Sequence, residues 1–192
     1  ENKDYLLHYT REVTGEVIEK TVNARELFRR IAETNWDYAE PGALFWDRIT
    51  GWNLLSNTED FVYAGVNPCA EEPLPAGGSC LLGSVNLAEF VENAFTDTAF
   101  FDFDSFKNCV QASVNALNEV LEEGLPLHPL DEQRKSVEKW RQIGLGIMGL
   151  ADALIKLGIT YGEAEAVEMC DKIGFAMADA CLLYTSDAAD EL

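Results

Sequence analysis

In the run Asn67-Pro68-Cys69-Ala70-Glu71, an amide, a thiol and a carboxylate recur at every second position. Pro68 steers Asn67 toward extended backbone, and in extended chain residues two apart face the same way. The spacing therefore predicts Asn67, Cys69 and Glu71 on one face. Such a set can orient a substrate hydroxyl, react with it and accept its proton. A buried cysteine between surface polar residues is the commoner origin of so short a pattern, and the five residues alone do not separate the two.

Cys80 follows Cys69 by eleven positions, across Pro73, Pro75, Gly77 and Gly78. A turn of that composition can return the two thiols to one site, where thiol–disulfide exchange would deliver two electrons. The plain alternative is a small apolar residue opening a buried strand. Zinc finds little support, because His8 and His128 are isolated and no second ligand pair accompanies the cysteines. Gly144, Gly146 and Gly149 have GxGxxG spacing, but the acids where a dinucleotide site needs one, Glu168 and Asp171, fall inside a predicted helix. These glycines are read as close strand-to-helix packing. Trp36, Trp46, Trp52 and Trp140 are read as core or rim, and Cys109, Cys170 and Cys181 as core.

The elements that must position these groups follow from caps, breakers and periodicity. Tyr5 to Val13 is a strand or helix. Asn23 with Glu26 has the form of a capping box, and Leu27, Phe28, Ile31 and Ala32 predict a helix over Ala24 to Tyr38, stopped by Pro41-Gly42. Leu44 to Val66 is mixed, with loop around Asn53 to Thr58 and a short strand at Phe61 to Ala64. Asn67 to Ser79 is a loop of fixed shape and Cys80 to Leu87 a buried strand. Asp104 is taken as the cap of a long helix whose stripe is Phe106, Val110, Val114, Leu117 and Leu121, ended by Gly124 and Pro126. Helices at about Leu130 to Trp140, Leu150 to Leu157 and Glu163 to Cys181 follow, with an apolar, glycine-broken stretch at Ile143 to Met148. Helices alternating with short apolar strands imply an α/β architecture.

Hydrophobic residues make up 47% and charged residues 25% of the 192, the balance of a globular chain. Fourteen Lys and Arg against 34 Asp and Glu give a net charge of -20, which repels nucleic acid and anionic membrane alike. No apolar run reaches the length of about 18 residues that spans a bilayer. Five scattered cysteines are not a secreted disulfide framework, and a reducing cytoplasm is expected.

Asn67 to Leu87, NPCAEEPLPAGGSCLLGSVNL, resembles the active-site finger loop of the ribonucleotide reductase large chain. Asn23 to Ile49 is similar to the helix and Pro-Gly turn preceding that loop, and Trp140 to Gly162 resembles the strand-helix unit that follows it. The resemblance implies a fragment of a ten-stranded α/β barrel with a central finger loop, and radical reduction of ribonucleotides to 2′-deoxyribonucleotides. Carried over by position, Cys69 becomes the thiyl radical that takes the 3′ hydrogen, Glu71 the base for the 3′-hydroxyl and Asn67 a hydrogen-bonding orienter. Cys80 matches one member of the cysteine pair that ends as a disulfide, its partner falling before Glu1.

The wording of the loop looks most like the adenosylcobalamin-dependent class. A class working with a separate metal-containing small subunit is the alternative, and both imply a ribonucleoside di- or triphosphate substrate and a thioredoxin-like reductant, with a homodimer possible. Residues 1–183 are expected to be a partial catalytic barrel, inactive when isolated because unpaired strand edges remain, and 184–192 a disordered tail unlike the family. From another functional class, a non-catalytic helical scaffold would use the proline-rich loop as a rigid docking surface, with Cys69 enclosed in apolar core away from Glu71.

Overall fold

The computed structural model describes residues 2–190, and the side chains of 2–182. The chain forms two compact units, Glu1–Asn53 and Leu54–Leu192. In the first, β1 (Asp4–Thr10) and β2 (Val17–Asn23) pair antiparallel, with Asp4 opposite Asn23 and Thr10 opposite Val17. Gly15, at φ 70°, closes their turn by donating its N–H to Arg11 O at 2.8 Å, a backbone conformation that favours glycine. Asn23 ends β2 and caps α1 (Ala24–Tyr38), its Oδ1 accepting from Arg25 N and Glu26 N at 3.1 and 3.3 Å. Both ends of this helix match the expectation.

Its apolar stripe does not form a core. Among the described residues of this unit none is buried, and Phe28 is 74% and Trp36 90% exposed. Amphipathic spacing names the face that seeks apolar contact, not the surface that covers it. A short α2 (Trp46–Gly51) follows within the stretch read as mixed, and Trp52 beyond it is exposed, not core.

The second unit begins with a hairpin. β3 (Gly65–Val66) and β4 (Pro73–Leu74) pair antiparallel, Gly65 opposite Leu74 and Val66 opposite Pro73. The strand expected at Phe61 to Ala64 is therefore displaced toward the C-terminus. Phe61 is buried and packs edge-on against Tyr63 and Trp140, ring centroids 5.5 and 4.9 Å away. Aromatic contact, not ladder pairing, uses that segment. The region expected to be wholly loop, 67–79, likewise contributes β4.

β5 (Leu81–Asn86) is half-buried, with only Val85 fully enclosed, and is followed by the short antiparallel pair β6 (Val91–Glu92) and β7 (Phe100–Phe101). Then come α3 (Phe103–Gly124), α4 (Asp131–Trp140), β8 (Ile143–Met148), α5 (Leu150–Leu157) and α6 (Ala164–Asp190). β5 and β8 run parallel from Leu81 opposite Ile143 to Asn86 opposite Met148, with α3 and α4 between them in sequence. This strand–helix–strand unit is the α/β feature of the fold. Among the described residues the strands form four two-stranded sheets and no closed barrel.

The core lies between β5, α3, α5 and α6. Val85, Leu87, Phe101, Phe106, Val110, Ala153, Ile173, Ala176 and Ala180 form one buried cluster. The cap of α3 is Asp102, not Asp104: Asp102 Oδ1 accepts from Asp104 N and Ser105 N, and Oδ2 from Ser105 Oγ at 2.6 Å. Those bonds from Ser105 hold the Asp102 carboxyl below its ordinary range. Two carboxylates two residues apart satisfy the same pattern, and the one whose backbone stays extended becomes the cap. On α6, Ile173, Ala176 and Ala180 share the buried face, whereas Val167 and Cys170 are exposed. Cys170 is thus not a core residue. Cys109 and Cys181 do pack against the cluster, and burial pushes the Cys181 thiol up. The tail expected at 184–192 lies outside the residues whose side chains are described.

The three glycines are structural. Gly144 and Gly146 belong to β8, and Gly149, at φ 72°, starts α5. A Cβ on Gly149 would stand 2.2 Å from Asn86 Oδ1, the oxygen that accepts from Ala88 N at 3.2 Å. Gly149→Ala should therefore lower the thermal midpoint, the left-handed backbone alone costing about 1–2 kcal/mol. A midpoint equal to that of the parent chain would refute this account.

Candidate active site

The β3–β4 connection is a six-residue tip closed from within. Asn67 N donates to Glu72 O at 3.2 Å and Ala70 N to Asn67 O at 3.0 Å, while Asn67 Oδ1 accepts from Glu72 N at 3.0 Å. Ala70 sits at φ 70°. The backbone therefore turns where extended chain was expected, and Asn67, Cys69 and Glu71 do not line up by simple alternation. The cause is the short asparagine amide, which can bond nearby backbone and so stabilises a turn.

Asn67 faces inward to close the tip, and Cys69, Ala70 and Glu71 stand exposed on it. Cys69 is not enclosed in an apolar core. Asn67, Pro68, Glu72 and Cys80 line a cavity of about 540 Å³ whose far wall is the stretch from Leu74 to Ser79. That wall is bent by a second turn, in which Gly78 N donates to Pro75 O at 3.0 Å. Gly77 there has φ 69°, and a Cβ on it would lie 2.8 Å from Glu132 O of α4. This turn carries the chain back to put Cys80 in the cavity, but Cys69 is not part of its lining, so the cavity does not hold the two thiols together as the turn composition allowed. Cys69 and Cys80 are both free thiols, and only Cys80 lines the cavity. A larger hollow of about 950 Å³ in the first unit, between β1 and α1, holds none of the candidate residues.

The Cys80 thiol is pushed up to about 11, chiefly by burial, then by the charge and contact of Glu72, then by the charge of Glu71. It stays protonated near neutrality and is a poor nucleophile there. Glu72 is the site residue that motif reading missed. Its signal was the doubled acid Glu71-Glu72, since only one of two neighbouring side chains can follow the hairpin tip outward.

A family model for the ribonucleotide reductase barrel domain matches residues 3–192. The vitamin B12-dependent ribonucleoside-diphosphate reductase of Thermoplasma acidophilum is 37% identical over 156 residues, 81% of this chain and 19% of that protein. The vitamin B12-dependent ribonucleotide reductase of Streptomyces coelicolor is 32% identical over 153 residues, 79% of this chain and 15% of that protein. The ribonucleoside-diphosphate reductase subunit alpha of Chlamydia pneumoniae is 31% identical over 193 residues, covering 95% of this chain and 17% of its own. The chain spans about a fifth or less of the length of these relatives. With the proline-braced hairpin, the cysteine returned beside it and the parallel strand unit behind, these matches place the chain in the ribonucleotide reductase barrel-domain family.

Proposed function

We propose that this chain is part of the catalytic barrel of a ribonucleotide reductase, with the β3–β4 hairpin as its finger loop inside a ten-stranded barrel completed by the rest of the protein. The substrate is a ribonucleoside di- or triphosphate and the product its 2′-deoxy form. Cys69, as a thiyl radical, takes the 3′ hydrogen of the ribose and later returns it. Sulfur suits this because it can lose and regain one hydrogen without permanent damage. Glu71 accepts the 3′-hydroxyl proton, Asn67 orients, and water leaves C2′. Cys80 and a second thiol of the parent protein supply two electrons and two hydrogens and become a disulfide, which a thioredoxin-like reductant restores. The observation that supports this reading is one hairpin carrying both groups: Cys69 and Glu71 exposed on its tip, and Asn67 lining with Cys80 the cavity beside it.

A starting radical must come from a cofactor or partner. The names of the relatives from Thermoplasma and Streptomyces favour vitamin B12. The hairpin cavity does not fit a corrin: half of its lining is Pro, Gly and Ala, and its acceptor-rich side chains, Asn67 and Glu72, are engaged in the tip or beside Cys80. The relative from Chlamydia, named a subunit alpha and matched over 95% of this chain, supports the second reading, a separate subunit that supplies the radical. The full gene, expressed and assayed for deoxynucleotide formation with and without adenosylcobalamin, separates them. Turnover only with the cofactor supports the first, turnover only with an added subunit the second, and no reduction under either condition overturns the proposed function.

A further inference from the structure

Glu72 shares the wall of the hairpin cavity with Cys80 and Asn67. A methyl group built on Gly144 of β8 would come within 2.7 Å of Leu82 Cδ2, 3.0 Å of Glu72 Oε1 and 3.2 Å of Cys80 Sγ. A carboxylate oxygen and a thiol sulfur therefore flank one point above the strand, and the missing side chain at 144 is what leaves them room. The backbone of Glu72 is anchored through both its N–H and its C=O to Asn67. Its carboxylate is thus aimed by the same contacts that close the tip.

We propose that Glu72 is a positioning residue for Cys80: its carboxylate lies beside the sulfur on the cavity wall and competes with Leu81 O, 3.6 Å from Sγ, for the S–H, turning it toward the cavity, and the bare backbone at Gly144 leaves room for the two to approach. The consequence, that Cys80 is kept ready to give hydrogen to a bound sugar, rests on the function proposed above; the contact itself does not. Burial of the thiol and the charge of Glu72 both act in this direction. Glu71 adds its charge more weakly, Leu82 and Gly144 bring none, and α4 presents Glu132 against Gly77 rather than against the sulfur. Among the described residues no cation acts on the thiol. A protonated sulfur held by an acid also reacts slowly with passing disulfides, because exchange runs through the thiolate.

The test is iodoacetamide alkylation of Cys80 in the reduced full-length protein, followed peptide by peptide by mass spectrometry from about pH 7 to about pH 11, around the ordinary thiol value of about 8.5. In the parent sequence the rate should still be rising at the top of the range. Glu72→Gln should react roughly tenfold faster near pH 8, as expected when a thiol's pKa falls by about one and its thiolate fraction rises to match, and its rate should level off within the range. Gly144→Ala should move the same way by separating the pair, Glu72→Asp should restore part of the parent behaviour, and Glu71→Gln should shift the curve less. An ordinary thiol profile in the parent chain overturns the proposal. So does a Glu72→Gln curve that is faster at every pH without levelling off, which reports an opened loop only. The readout involves no turnover, so its failure is distinct from failure of the reductase reading.

Discussion

Cys69→Ser in the full-length reductase should lower turnover on the order of a thousandfold or more, the scale seen when the group that does the chemistry is removed, while ribonucleotide binding stays nearly intact. The expectation follows from where the sulfur sits. Cys69 is exposed on the hairpin tip, and the tip is closed by Asn67 and Glu72 through main-chain and amide bonds in which the thiol takes no part. Serine keeps the size and the turn, but oxygen does not carry the radical as sulfur does. Asn67→Ala is the informative contrast. It deletes the acceptor for Glu72 N, a loss of about 1 kcal/mol for an ordinary hydrogen bond, and should weaken binding and turnover together as the tip loosens. Deoxynucleotide formation and equilibrium binding of the ribonucleotide, measured on both variants, decide the matter. Retained turnover in Cys69→Ser would remove the role assigned to that residue, and lost binding in the same variant would make its role structural.

Phe106→Ala should destabilise the second unit by about 3–5 kcal/mol, the range for truncating a buried phenylalanine. Against a total stability of about 5–15 kcal/mol for a domain, that is enough to populate the unfolded state visibly. Phe106 is 0% exposed and meets Phe90 and Phe101 edge-on at 5.4 and 5.5 Å, so its removal leaves a cavity at the centre of the aromatic cluster. Neighbours held by β5, α3 and α6 cannot collapse into it without unpacking Val110 or Ile173. Phe28→Ala, the same change on the exposed face of α1, should stay within about 0.5 kcal/mol, as surface substitutions do. Denaturant unfolding of the two variants checks both values. Equal losses would mean that burial in the second unit is not the source of its stability.

The contrast between those two phenylalanines shows where local sequence stops being informative. Both occupy helical stripes with good caps, and the helices form where caps and breakers say: α1 runs from the residue after Asn23 to Tyr38, and α5 ends at Gly158. Those boundaries depend on contacts within a turn or two, which the neighbouring residues fix by themselves. Whether the stripe is covered depends on partners far along the chain. Phe106 finds α6 and the β5 end, and Phe28 has no buried contact among the described residues. The cap of α3 fell between Asp102 and Asp104 for a related reason, since both satisfy the pattern and only the backbone at 102 stays extended.

The site divides in the same way. The motif itself named Asn67, Cys69, Glu71 and Cys80, and the prolines and glycines between them predicted a returning loop of fixed shape, because proline fixes φ and glycine takes the left-handed turn positions that other residues avoid. The face each side chain takes was decided by tertiary structure. A positive φ at Ala70 and the pairing of Asn67 with Glu72 replace the expected alternation. The approach of Glu72 Oε1 and Cys80 Sγ to one point further requires β8, whose Gly144 arrives from far along the chain to sit beside both. Residue types and spacing set the chemistry available at the tip, and strand pairing across that distance set which acid meets which sulfur, since a side chain's surroundings are built by segments its own neighbourhood does not encode.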